Sequence, residues 1–347
     1  MHEIFADSPE SRAWLDGLAS VSEAEKNRIS IPEEETWRSW LEYVEIPKED
    51  LADVIATTPT PQTDPVLYDI LQRGAAQLVG AMGEIDIDFR FATLRDFNDP
   101  RYRYFYVQLL AACLPFVRAY HQSLGIPDSI TQATVADLGR NVRVHRKREG
   151  VGGLGVMWWL MLHFRGVIFQ LGRLQFEMQH AGSEIAASMR EHGIEAREPT
   201  NALSIHIPDF MGPMDHHACS ESIARAATFF PSYFPNWPVH HGYCNSWLLD
   251  PQLKTILRPT SNIILFQNRF TLADESWEAN ETVMQFVFGR HLRDIDTINP
   301  QSSLECGVVE HLKNGKDWKA RVGWLTLSSV SDSEPKVEEI WSERPKS

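Results

Sequence analysis

The chain has 347 residues, 43% hydrophobic and 23% charged, enough for two globular domains with cores of their own. Its net charge of −14, from 47 acidic and 33 basic residues, argues against nucleic acid as a bulk partner. Four dispersed cysteines, Cys113, Cys219, Cys244 and Cys306, form no CxxC pair, which argues against a disulfide framework and fits a reducing cytoplasm.

Residues 1–12 carry Glu3, Asp7 and Glu10 and no apolar run, so no signal peptide is expected. Connectors rich in Pro and polar residues fall at 29–32 and 57–65. Around them the spacing predicts helices. Residues 33–43 place Trp37, Trp40 and Leu41 on one face, and 65–82 do the same with Leu67, Ile70, Leu71, Ala75 and Leu78. An aromatic-rich helix is expected over 101–124. Another is expected over 128–147, capped by Asp128 or Ser129, with Ile130, Val135, Leu138 and Val142 as its apolar stripe. Residues 1–150 therefore read as a mostly helical domain.

The Gly150–Gly155 stretch (GVGGLG) matches GxGxxG but follows a basic, helix-like run, His145-Arg146-Lys147-Arg148, instead of a strand. It reads as a flexible connection between the halves, and the basic run as a solvated helix end. The longest apolar stretch, 156–162, is far shorter than the ~20 residues that span a bilayer. Trp158, Trp159, Phe164 and Phe169 read as core packing or as a wall for an acyl chain.

From Gly166 the pattern changes. Alternation from Arg173 onward predicts a strand within 167–179, with Arg173, Gln175 and Glu177 on its more polar face. Strands are further expected at 201–207, 243–249, 262–271, 281–288 and 319–327, with helices at 220–230 and 301–313 and a polar turn at 273–280. Residues 151–330 thus read as an α/β domain around one sheet, and 331–347 as a loose polar tail.

Whole phrases in this half resemble a bacterial family of acyltransferases with an N-acyltransferase N-terminal domain and a GNAT-like C-terminal domain. They are ADLGRNVRVHRKREGVGGLGVMWWLMLHFRGVIFQLGRLQFE (136–177), LSIHIPDFMGPM (203–214), CSESIARAATFFPSYFP (219–235), CNSWLLDPQL (244–253) and SNIILFQNRF (261–270). The resemblance implies an α+β chain: a helical domain, then a GNAT-like mixed sheet flanked by helices. It implies acetyl-CoA or another acyl-CoA as co-substrate and the amine of a small molecule as acceptor. In such folds a strand, a loop and a helix N-terminus hold the pyrophosphate, and a neighbouring strand splays to admit the pantetheine arm. Carried onto this chain, the contacts to coenzyme A come from Ile207, Met211, Gly212, Ser220, Ser222 and Asn245, with the helix starting near Ser220. The loop departs from the family pattern: Gly212, beside Pro213, is its single glycine.

Acyl transfer needs a base for the amine and donors for the carbonyl oxygen. His206 and Glu177 are the candidate bases; the blander readings are a histidine bonded within the sheet and a structural ion pair. Cys244 is either a nucleophile or a small buried apolar residue. Ser246 and Asn245 are candidate donors. The clusters Asp215-His216-His217 with Cys219, and His240-His241 with Cys244, lack HExxH or CxxC spacing, so no metal is expected; a metal-dependent hydrolase stands as a rival, as does a non-catalytic acyl-CoA-binding module. No GxSxG elbow or P-loop is present.

Overall fold

The structure, a computed structural model, describes residues 4–327 apart from 88, 89, 96, 97 and 198. The expected polar tail lies outside the described residues. The chain divides into two compact units, Met1–Gln170 and Leu171–Ser347.

The first unit is helical: α1 (Pro9–Ala19), α2 (Glu23–Lys26), α3 (Glu34–Tyr43), α4 (Lys48–Ala56), α5 (Pro65–Gly80), α6 (Pro100–Arg103), α7 (Phe105–Ala112), α8 (Leu114–Ser123), α9 (Asp128–Val135), α10 (Asp137–Glu149) and α11 (Met157–Arg165). Helix α5 is central and packs on α1, α2, α7 and α11. Asp64 caps it by accepting the Leu67 N–H at 3.0 Å, and Pro65 opens its first turn, where a missing N–H costs nothing. Two expected helices are each broken. The 101–124 stretch becomes α6, α7 and α8; Pro115 in the first turn of α8 has no N–H to continue α7. The 128–147 stretch breaks at Ala136. Asp128 does not cap: its carboxylate accepts from Tyr43 Oη at 2.9 Å and Arg118 Nε at 3.2 Å.

The glycine-rich segment is fastened into this unit. Gly150 ends α10 in the left-handed conformation, at φ 77°. Arg103 Nε donates to the Gly152 carbonyl at 3.0 Å, and His145 Nδ1 lies 2.8 Å from the Val151 carbonyl. Buried Asp50 accepts from Tyr104 Oη at 2.6 Å and pairs with Arg146, so one member of the basic run is spent inside. A Cβ on Gly152 would lie 1.6 Å from Asp50 Oδ1. The expected flexible connection is therefore a packed turn.

The second unit is β1 (Ile168–Leu171, on which the boundary falls), β2 (Leu174–Ala181), α12 (Ser183–Glu191), β3 (Thr200–His206), α13 (His216–Tyr233), β4 (His241–Ser246), α14 (Asn262–Gln267), β5 (Thr271–Glu278), α15 (Asn280–Phe288), α16 (Ser303–Lys313) and β6 (Lys319–Thr326). The strands form one mixed sheet in the order β1-β2-β3-β4-β6-β5. β2 and β3 are antiparallel, β3 and β4 parallel, and β6 runs antiparallel to both β4 and β5.

Two expected strands are helices. Residues 262–267 form α14 because Ser261 caps Ile264 N–H; Ile264, Phe266 and Gln267 face inward. Residues 280–288 form α15, which buries Val283 and Met284 and stops at Gly289 in the left-handed region. Short apolar runs do not distinguish strand from helix by period alone. The expected turn at 273–280 is mostly β5, an edge strand whose exposed acids Asp274, Glu275 and Glu278 disguise it and guard the edge against added strands.

Two features make predictions for stability. Gly139 N–H donates to the Val44 carbonyl at 3.0 Å, and a Cβ there would lie 1.9 Å from the Glu45 carbonyl oxygen. Gly139→Ala should destabilise the chain by roughly 1–3 kcal/mol, read as a lower urea midpoint. His121 is fully buried, its Nδ1 3.0 Å from Thr131 Oγ1, and burial pushes its pKa from 6.5 down to about 4. The unfolded chain then binds more protons, so stability is held above pH 6.5 and falls as pH drops toward 4, by at most roughly 3 kcal/mol from this group. Urea titrations at successive pH values check this, and His121→Gln should flatten the slope.

Candidate active site

The register sets a row of residues across the sheet. Glu177 on β2 pairs with Ser204 on β3, Ser204 with Tyr243 on β4, and Tyr243 with Trp324 on β6. Directly paired residues share a face, so all four point the same way. His206 sits two residues along β3, diagonal to Glu177 and within reach of it. Its Nε2 lies 2.9 Å from Glu177 Oε2. The two groups differ in access: the Glu177 side chain is 7% exposed and that of His206 28%. The imidazole is therefore partly open to solvent while the carboxylate holds it from within.

Neighbours fix this face. Tyr243 Oη donates to Gln179 Oε1, and Trp324 Nε1 donates to Ser188 Oγ on α12 at 3.1 Å. Ile185, Ala186 and Met189 of α12 pack with Ala202, Tyr243, Val322 and Trp324. Burial raises the Tyr243 phenol to about 12, so it stays a hydrogen-bond donor at neutral pH. Tyr243 and Gln179 are not among the residues the sequence points to. Their signal is the alternation that places Gln179 with Glu177, but the pairing that brings Tyr243 to them is not local.

The β3–β4 ladder is short. It pairs Leu203 with Gly242 and Ser204 with Tyr243, and goes no further. Beyond it, Ile205 and His206 remain paired with β2, and Cys244 to Ser246 with β6. The parallel strands thus part toward their carboxyl ends, next to His206. Parted edges present backbone donors and acceptors, which suits the two amides of a pantetheine arm.

The remaining predicted residues are placed as follows. Ile207, Met211 and Gly212 lie on the loop between β3 and α13, with Gly212 exposed at φ 77°. Helix α13 begins at His216, not near Ser220, because Asp215 caps it by accepting the Ala218 N–H at 2.9 Å. Ser220 and Ser222 are therefore within the helix, and both hydroxyls are engaged. Ser220 Oγ donates to the His216 carbonyl at 3.0 Å and accepts from Arg269 at 2.7 Å. Buried Ser222 Oγ accepts the Leu174 N–H at 2.9 Å and donates to the Leu171 carbonyl, stitching α13 to the β1–β2 turn. Asn245 is exposed and shares the face of Tyr243 by alternation. Cys244 points to the other face and is buried; burial raises its thiol to about 12. Ser246 Oγ accepts the Leu248 N–H at 3.1 Å and caps a short 3-10 turn. Among the described residues, no group of three or more His, Cys, Asp or Glu side chains is placed to hold a metal ion.

A mixed sheet whose central parallel strands part, with a helix following the inner one, defines a GNAT-like acyltransferase domain. Residues 168–325 match the GNAT-like C-terminal domain, and residues 35–166 match the N-acyltransferase N-terminal domain. The chain belongs to this family of two-domain acyltransferases. It is similar to the crystal structure of an acyltransferase in complex with decanoyl-CoA and teicoplanin, at 32% identity and a TM-score of 0.82 over 92% of this chain and 96% of that one. An acyltransferase mutant in complex with octanoyl-CoA is 31% identical, with a TM-score of 0.81 over the same shares. A third structure, with decanoyl-CoA alone, gives 31% and 0.80, again over 92% of this chain and 96% of that one. No curated protein matches the chain.

The burial of the thiols is open to test. Burial raises Cys219 to about 11, and Cys244 and Cys113 are fully enclosed, whereas Cys306 is exposed. At pH 8 a thiol reagent should label Cys306 alone in the native protein and all four cysteines after unfolding, as read by peptide mass mapping. Rapid native labelling of Cys244 would overturn its placement.

Proposed function

We propose that this enzyme transfers a medium-length acyl group, of the octanoyl to decanoyl class, from acyl-CoA to an amine of its acceptor. The observation that carries the reading is the Glu177–His206 pair, 2.9 Å apart beside the point where β3 and β4 part. The parted edges would hold the pantetheine amides and present the thioester carbonyl to the pair. The acceptor amine attacks that carbonyl carbon, and the pair takes the proton the nitrogen gives up, with Glu177 stabilising the imidazolium. The C–S bond breaks, the proton passes to the thiolate, and coenzyme A leaves as the free thiol.

Direct transfer fits better than a covalent intermediate on Cys244, whose thiol is buried on the opposite face. The donor length follows the octanoyl- and decanoyl-CoA bound by similar enzymes, and teicoplanin, bound by one of them, is the first acceptor to try. A cytoplasmic setting, where acyl-CoA is made and used, agrees with this chemistry. No helix among the described residues is long and apolar enough to cross a membrane.

The test is a mass-spectrometric assay for acyl addition to teicoplanin-type and simpler amines, with acetyl-, octanoyl- and decanoyl-CoA as donors. Octanoyl- or decanoyl-CoA should be preferred over acetyl-CoA. His206→Ala and Glu177→Gln should each lower kcat by about 10²–10⁴ with little change in thermal stability. Unchanged kcat in both variants would remove the pair from the mechanism, and no acyl transfer to any amine would remove the reaction.

A further inference from the structure

Arg173 lies in the tight return between β1 and β2, after Gly172 at φ 87°. It is 8% exposed. Its Nε donates to the Pro213 carbonyl at 3.3 Å, at the long end for such a bond. Its Nη1 is buried with no hydrogen-bond partner, and among the described residues no carboxylate lies within ion-pair distance. Asp209 and Asp215 act on it only at longer range, against the burial that opposes its charge. An unpaired buried cation is costly, and a fold keeps one where an anion arrives to meet it.

Its position indicates which anion. The pairing of Gln175 with His206 puts Arg173 level with the start of the loop between β3 and α13. That loop has Gly212 as its single glycine, and the N-terminus of α13 already holds the Asp215 carboxylate. Both depart from the glycine-rich loop whose backbone amides ring a phosphate. Arg173 stands in the turn just before β2, four residues before Glu177, about 13 Å at the rise of an extended strand. A pantetheine arm separates the phosphates of coenzyme A from its thioester on this scale.

We propose that Arg173 is a donor-recognition residue that binds a phosphate of acyl-CoA through its guanidinium. The proposal rests on the acyl-CoA reading above. On donor binding the long bond to Pro213 is exchanged for charge-assisted bonds to phosphate oxygens, which are stronger.

The test compares two donors on the full-length enzyme: decanoyl-CoA, and the decanoyl thioester of N-acetylcysteamine, which has the same reacting bond and no phosphate. Arg173→Met should raise KM for decanoyl-CoA about tenfold or more, with kcat changed less than about twofold. Its kcat/KM for the phosphate-free thioester should equal that of the wild type. Arg173→Lys, which keeps the charge and the fold, should recover part of the loss on decanoyl-CoA alone. Equal losses on both donors would show that Arg173 only shapes the loop, and unchanged KM for decanoyl-CoA in both variants would overturn the proposal outright. Failure of the acyl-CoA reading has a different mark: the wild type would neither bind coenzyme A in calorimetry nor use either thioester, which overturns both.

Discussion

The pairing register of β3 is the constraint on which the rest of the second unit depends. Side chains alternate across a pleated strand, so a one-residue slip moves every one of them to the opposite face. In the observed register Glu177, Ser204, Tyr243 and Trp324 stand in one row, and His206 falls beside Glu177. The same register leaves Ile205 and Leu203 buried. Packing and chemistry are therefore set by one choice. The apolar residues cannot reach water without destroying the core, and this holds the imidazole against the carboxylate.

Much of this was legible locally. Alternation in residues 173–177 puts Glu177 on the more polar face, and strands form within the expected 167–179 and 201–207 stretches. Their meeting was not legible, because the antiparallel pairing joins residues 29 apart through an intervening helix. The failures have physical causes of a different kind. Residues 262–267 and 280–288 are rich in β-branched and aromatic side chains, yet a serine cap and a glycine stop make them helices. β5 carries no apolar alternation, because an edge strand facing solvent has no need of it. α13 starts four residues before Ser220 because Asp215 caps it ahead of the two serines expected there.

The chain is strongly acidic overall, and yet similar acyltransferases bind a donor that carries several phosphates. Net charge governs solubility and long-range encounter, while recognition is decided over a few ångströms. Around the β3–α13 loop the cations are held inward. Arg269 is bonded to the His216 carbonyl and Ser220, and Arg173 is folded under Pro213. Overall negative charge therefore sets which bulk polyanions approach, and leaves the local arrangement of guanidinium groups independent of it.

The glycine run at 150–155 has the spacing of a phosphate loop and a different neighbour. A GxGxxG loop is open to a phosphate because nothing else sits against its backbone. Here Asp50 does: its carboxylate lies where any side chain on Gly152 would fall, with Tyr104 and Arg146 bonded to it. The glycine is needed for closeness to a negative group, as in a nucleotide-binding loop, but that group is a side chain of the same protein. The segment is in effect self-liganded, and a nucleotide would have to evict an anion that is covalently part of the chain.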